Sequence, residues 1–174
     1  MRKFGLIGYP LGHSFSKKYF TDKFIREQIS DSSYENYPLK DIGGVTELLT
    51  SDSELCGLNI TIPYKSAIIK FLDTITPEAE EIGAVNVMKI HRHTGQIRLS
   101  GYNSDVTGIR DTLRPFINEN VRNALVLGTG GSSRAVCHVL KNFGLNVDRV
   151  SRKKTKAGPT LRRIRGSSVL APFR

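Results

Sequence analysis

The sequence predicts an α/β chain in two parts, an N-terminal βαβ domain with a mostly parallel sheet followed by the opening of a second βαβ unit. Three observations carry this. Apolar runs of strand length alternate with amphipathic runs of helix length through residue 82. Polar residues able to bind ligands fall where the strands end. From Val121 the pattern restarts as a strand, a glycine-rich turn and a helix.

Taken in order, strands are predicted near residues 3–8, 33–39, 56–61, 84–91 and 96–101, and helices near 16–29, 41–51, 64–72 and 77–82. The last two strands form a hairpin that adds antiparallel character. A helix over about 105–117, on Ile109, Leu113, Phe116 and Ile117, links this domain to the second one. There Ala124-Leu125-Val126-Leu127 forms a strand, Ala135 to Phe143 a helix and Asn146 to Val150 the next strand. The expected divisions are 1–104, 105–157 and a basic tail, 158–174.

The first strand runs into Tyr9-Pro10-Leu11-Gly12-His13-Ser14-Phe15-Ser16, ahead of an amphipathic stretch with Tyr19, Phe20, Phe24 and Ile25. Two hydroxyls at a helix entrance, where backbone amides are free, favour a carboxylate or phosphate. Serine that merely caps a helix leaves the same pattern.

In Gly57-Leu58-Asn59-Ile60-Thr61-Ile62-Pro63-Tyr64-Lys65, alternation puts Asn59 and Thr61 on one strand face. Pro63 ends the strand and suits a helical first turn, so Lys65 projects near the strand's carboxyl end, where open α/β sheets bind ligands. A lysine there can hold an anion, orient a hydroxyl or carry a proton. Alone, it reads equally as a solvated lysine at a helix start.

Gly83-Ala84-Val85-Asn86 opens a strand, and Gly101-Tyr102-Asn103-Ser104-Asp105 closes the hairpin. Asp105 precedes a helical pattern and suits an N-cap. Yet Lys65, Asn86 and Asp105 all fall at strand ends with Asn59 and Thr61 beside them, a set of donors and acceptors suited to a small polyhydroxylated acid.

In its motifs G-Y-P-L-G-H-S-F-S, N-I-T-I-P-Y-K, G-A-V-N and G-Y-N-S-D, residues 1 to about 156 resemble the shikimate dehydrogenase family, in that family's order and spacing. The resemblance implies interconversion of 3-dehydroshikimate and shikimate with NADP, on the cytoplasmic route to chorismate and the aromatic amino acids. It implies that Ser14 and Ser16 hold the carboxylate with Thr61 nearby, and that Lys65, Asn86 and Asp105 bind ring hydroxyls beside Asn59. Lys65 and Asp105 would be the catalytic pair. Lys17 departs from the family, which commonly has proline there.

An independent signal is Gly128-Thr129-Gly130-Gly131-Ser132-Ser133-Arg134 between strand and helix, the context of a dinucleotide fingerprint. Gly128 allows the tight turn, Gly130 lets amides approach a pyrophosphate, and Ser133 stands where a third small residue packs. A short loop without a ligand is the plainer alternative. Ser151, Arg152 and Lys153, just past the next strand, suit the 2′-phosphate of NADP, where an acidic residue would favour NAD. The second domain is therefore expected to be an incomplete Rossmann-type nucleotide-binding domain.

The net charge of +10 is uneven. Residues 151–174 hold eight of the 26 Lys and Arg and none of the 16 Asp and Glu, leaving a near-neutral body. Such a tail, without aromatic interleaving, argues for a solvated segment over a nucleic-acid arm. From Gly158 it does not resemble the family, whose chain continues for roughly 100 residues more, so the expectation is a frameshift or premature end after about residue 157 and an impaired enzyme. Two other readings stay open: a catalytically inactive fragment, and a quinate/shikimate dehydrogenase using NAD, against which Arg152 and the serine pair speak.

Cys56 and Cys137 are isolated and read as reduced thiols of a cytosolic protein. His91 and His93 alternate on one strand with no cysteine or carboxylate cluster beside them, so a solvated turn is expected rather than a metal site. No segment has the length and apolarity of a membrane span. The sequence leaves oligomeric state open.

Overall fold

A computed structural model describes residues 1–12 and 14–150. Contacts divide the chain into two compact units, Met1–Asp105 and Val106–Arg174.

The first unit carries β1 (Arg2–Gly8), α1 (Ser16–Arg26), β2 (Ser32–Pro38), α2 (Gly44–Ser51), β3 (Leu55–Ile60), β4 (Thr74–Ile75), α3 (Pro77–Ile82), β5 (Val87–His93) and β6 (Gln96–Tyr102). Its six strands form one sheet in the order β2-β1-β3-β5-β6-β4. β1 pairs parallel with β2 and β3, and β4 with β6, while β5 is antiparallel to both neighbours. The α/β sheet is thus mostly parallel, as the alternation predicts, with β5 alone reversed. The Thr94–Gly95 turn between β5 and β6 has φ of 43° and 82° at its two residues.

One sheet face holds the core. Ile7, Leu58, Ile60, Met88, Ile90 and Leu99 pack with Val45 and Leu49 of α2 and with Ile68 and Ala79. Burying each such aliphatic side chain contributes roughly 1.5–3 kcal/mol. The opposite face carries Phe4, Tyr34 and Asn59, with α1 laid across part of it. Phe24 meets Phe4 at a ring separation of 6.5 Å and Phe20 stacks on Tyr34 at 4.5 Å, whereas Tyr19 and Ile25 of the same amphipathic run are exposed.

Several predicted boundaries move. The helix expected over 64–72 is only a 3₁₀ segment, Ala67–Phe71. The reason is long-range: Val85 N donates to Lys65 O at 2.7 Å, and Tyr64 N closes a turn on Thr61 O at 2.8 Å, so the carbonyl of Lys65 does not serve an α-helical ladder. Helix α1 stops at Arg26 because Ile29 N returns to Phe24 O at 2.8 Å with Gln28 at φ 56°, a left-handed closure of the helix end. β5 begins at Val87 rather than 84, and the two-residue β4 was not foreseen.

In the second unit, α4 (Asp105–Leu113, the first residue being shared) gives way to a 3₁₀ turn, Arg114–Phe116, at Pro115 rather than continuing to 117. β7 (Asn123–Leu127) pairs parallel with β8 (Asn146–Val150) through α5 (Gly131–Asn142). Val126, Cys137, Leu140 and Leu145 form its core, with Leu113 and Ile117 packed against them. Leu125 and Leu127, alternating with Val126, are 40% and 64% exposed. Among the described residues no helix is long and apolar enough to cross a membrane.

Candidate active site

Register places the carboxyl ends of β1 and β3 together, Ile7 opposite Ile60, and the start of β5 beside the end of β6, Val87 opposite Tyr102. Because β5 runs backwards, Asn86, which precedes a strand, lies at the same edge as residues that follow strands. Backbone hydrogen bonds hold it there: Ile60 N donates to Asn86 O at 2.8 Å and Asn86 N to Tyr102 O at 3.0 Å.

Three of the predicted residues meet at this edge. Lys65 Nζ donates to Asp105 Oδ2 at 2.7 Å, and Asn86 Nδ2 donates to Asp105 Oδ1 at 2.7 Å. The ion pair is partly buried, its side chains 14% and 26% exposed, where charge-assisted bonds are stronger than in open water. Asp105 is not the cap that its position at the helix start suggests. Its backbone N–H donates to Asn103 Oδ1 at 3.1 Å, and its carboxylate is turned to Lys65 and Asn86.

Two neighbours that the sequence reading passed over complete the bracing. Asn103 Nδ2 donates to Ala84 O at 2.8 Å, and Ser104 N donates to Asn86 Oδ1 at 2.8 Å. Both lie within the motif that contains Asp105, which was the available signal.

At the entrance to α1, Ser16 N donates to Ser14 Oγ at 3.3 Å, and Phe15 caps the helix without a side-chain bond. Lys17, the departure from the family pattern, pairs with Glu35 at 2.6 Å. Asn59 accepts a hydrogen bond from the Tyr34 phenol at 2.7 Å. Burial pushes the Tyr34 phenol up to about 12, while the Ser16 hydroxyl pulls the other way. Thr61 follows β3, its methyl pressed against Gly8, where a side chain on the glycine would also meet Ile62 O at 2.9 Å. A groove of about 560 Å³ opens beside Asn59 along Phe4, Phe20, Tyr34 and Val87, but does not reach Lys65 or Asp105.

The glycine turn of the second unit has Gly128 at φ +118°, a conformation that favours glycine. Gly128 N donates to Val150 O at 2.8 Å, joining the turn to β8. An added Cβ on Gly128 would touch Ser133 at 3.9 Å, whereas among the described residues nothing lies within 4 Å of one on Gly130. α5 starts at Gly131 with Gly130 as its cap and no side-chain cap, so Thr129 precedes the helix start and Ser132 lies in its first turn. Ser151, Arg152 and Lys153, and the tail 158–174, lie outside the described residues. His91 Nε2 contacts Ser100 Oγ at 3.2 Å, and His93 is exposed.

Residues 6–88 match the family described as shikimate dehydrogenase substrate binding domain. A shikimate dehydrogenase (NADP(+)) of Pyrococcus abyssi is 34% identical over 157 residues, covering 90% of this chain and 57% of the relative. The one from Dictyoglomus thermophilum is 37% identical over 147 residues, covering 81% and 50%. Over most of its length the chain is similar to shikimate dehydrogenases. Among solved structures, shikimate dehydrogenase 1 of Peptoclostridium difficile superposes with a TM-score of 0.83 at 32% identity, over 96% of this chain and 63% of that one. Shikimate 5-dehydrogenase of Thermus thermophilus in complex with shikimate gives 0.75 at 32% identity, over 90% and 59%. The same Thermus protein in complex with NADP(H) and shikimate gives 0.74. The chain spans about half the length of the curated relatives it matches.

Proposed function

We propose that this protein binds shikimate and 3-dehydroshikimate and takes part in their NADP-dependent interconversion, on the route to chorismate and the aromatic amino acids. The observation that carries the reading is the Lys65–Asp105 ion pair, 2.7 Å long and braced by Asn86 at a sheet edge, where α/β sheets bind ligands.

Reducing a ketone to an alcohol requires a hydride at carbon and a proton at oxygen. When bound, the cofactor in its reduced form, NADPH, would supply the hydride and leave as NADP+. Lys65 holds the proton at Nζ and gives it to the oxygen as negative charge develops there. In the reverse direction neutral Lys65 takes the hydroxyl proton, and Asp105 stabilises the ammonium that results. Asn86 and Asn59 bind ring hydroxyls, while Ser14 and Ser16, at the start of an 11-residue helix, donate to the carboxylate with Thr61 nearby. The helix dipole favours an anion at that end.

The second unit suits NADP. Gly128, Thr129, Gly130, Gly131 and Ser132 form the turn and first residues at the N-terminus of α5, suited to a pyrophosphate, and Ser151, Arg152 and Lys153 are assigned to the 2′-phosphate of NADP from the sequence. A cytoplasmic setting is supported by the two free cysteines. The ligand is a small molecule, with no nucleic acid or membrane partner assigned.

The test is thermal unfolding of the purified chain with each ligand in turn. Shikimate at about 100 times its dissociation constant stabilises a binding protein by about 2.7 kcal/mol, and Asp105→Ala is expected to abolish most of that gain. A melting temperature that shikimate does not move in the parent protein overturns the reading.

A further inference from the structure

Asn103 is 7% exposed, and its amide meets two backbone groups, Nδ2 donating to Ala84 O at 2.8 Å and Oδ1 accepting from Asp105 N at 3.1 Å. One partner is a carbonyl and the other an N–H, so the amide has a single orientation. Ala84 O belongs to the same peptide group as Val85 N, and Val85 N donates to Lys65 O at 2.7 Å. A continuous run of hydrogen bonds thus leads from the backbone of Lys65, through the Ala84–Val85 peptide group and the Asn103 amide, to the backbone of Asp105. Peptide groups are planar, so the run has few soft joints. The side chains of the same two residues, Lys65 and Asp105, meet at 2.7 Å, and the two connections close a ring.

The start of α4 explains why the link falls to Asn103. A helix opens with N–H groups that lack intrahelical partners, and Ser104 and Asp105 are both residue types that cap such ends. Both side chains are engaged elsewhere. The Ser104 hydroxyl accepts from Asn86 Nδ2 at 3.1 Å, and the Asp105 carboxylate accepts from Asn86 and Lys65. Asn103, two residues before Asp105, takes the Asp105 N–H instead.

We propose that Asn103 is a positioning residue that holds the Lys65–Asp105 pair in place by tying the two backbones together, and that by serving the start of α4 it leaves the Asp105 carboxylate to the ligand edge. Its effect on shikimate rests on the reading of that pair given above, whereas the tie itself belongs to the free chain.

Two measurements on the full 174-residue chain test it: the N–H NMR signal of the Lys65 ammonium, assigned by its loss in Lys65→Arg, and calorimetric titration with shikimate. In Asn103→Ala the Lys65 signal is expected to broaden, and shikimate to bind about tenfold more weakly, the worth of one buried hydrogen bond. Adding the same substitution to Asp105→Ala should weaken shikimate almost no further, as for residues acting in one network. Asn103→Ser has one hydroxyl in place of an amide and cannot bridge both partners. It is expected to regain melting temperature but not affinity, and it carries the comparison where Asn103→Ala does not fold. A folded Asn103→Ala with the parental Lys65 signal overturns the tie, as do additive losses with Asp105→Ala or an affinity restored by Asn103→Ser. Failure of the parent protein to bind shikimate overturns the proposed function alone, because the Lys65 signal reads the tie without ligand.

Discussion

Lys65 and Asp105 lie 40 positions apart and meet at 2.7 Å, so substitution at either end is a sharp test. Where the protein turns over shikimate, Lys65→Ala is expected to cut the rate by about 10² to 10⁴, the usual worth of a positioned acid or base. Steady-state rates with NADP check this, and a loss of only a few-fold would reduce Lys65 to a surface cation. Tyr34 makes a prediction without any ligand. Its phenol ionises near pH 12 in the folded chain because of burial, against about 10 in an unfolded one. The neutral form is thus favoured by folding, so its stabilisation is complete below pH 10 and is lost as pH rises toward 12. Urea unfolding midpoints of the parent protein should fall more steeply across that window than those of Tyr34→Phe. Parallel profiles would show that the phenol is not held in its neutral form.

At the scale of elements, the edge formed by β1, β3, β5 and β6 brings its residues together through backbone geometry. Gly8 at the end of β1 lies against Thr61 and Ile62 O, so Gly8→Ala is expected to push the segment leading to Lys65 outward. Overpacking of this kind costs typically about 1–3 kcal/mol. Chemical denaturation should register that loss together with weakened shikimate binding, and an alanine variant with parental values in both would show that this segment yields freely. The sequence made much of the edge legible, because polar residues at the ends of apolar strands announce themselves locally: Lys65, Asn86 and Asp105 are brought together as their positions suggest. The absent helix over 64–72 was not legible, since the bond from Val85 N to Lys65 O joins segments 20 residues apart and leaves no local trace. Tyr34 escaped for a related reason. In Ser-Ser-Tyr-Glu-Asn-Tyr-Pro it reads as an ordinary strand aromatic, and its importance comes from Asn59 of β3 against its hydroxyl and Phe20 of α1 against its ring.

For the whole molecule, each of the two units has its own apolar cluster, that of the first being much the larger. Units with separate cores tend to open separately, so calorimetry is expected to show two transitions, the smaller unit melting first. Shikimate should raise the transition of Met1–Asp105 and NADP that of Val106–Arg174. A single transition moved equally by both ligands would mean that the units unfold as one.

The reversal of β5 has a practical side. Because this strand starts at the edge that carries Lys65 and Asn86, it ends at the far margin of the sheet, and the Thr94–Gly95 turn that follows, exposed at both residues, is remote in the sheet from those two. Turn tips of small and polar residues accept insertions best. A fluorescent or affinity peptide spliced between Thr94 and Gly95 would thus report on the protein while leaving its chemistry alone, giving an attachment point that a tag at the serine-rich loop after β1 could not offer.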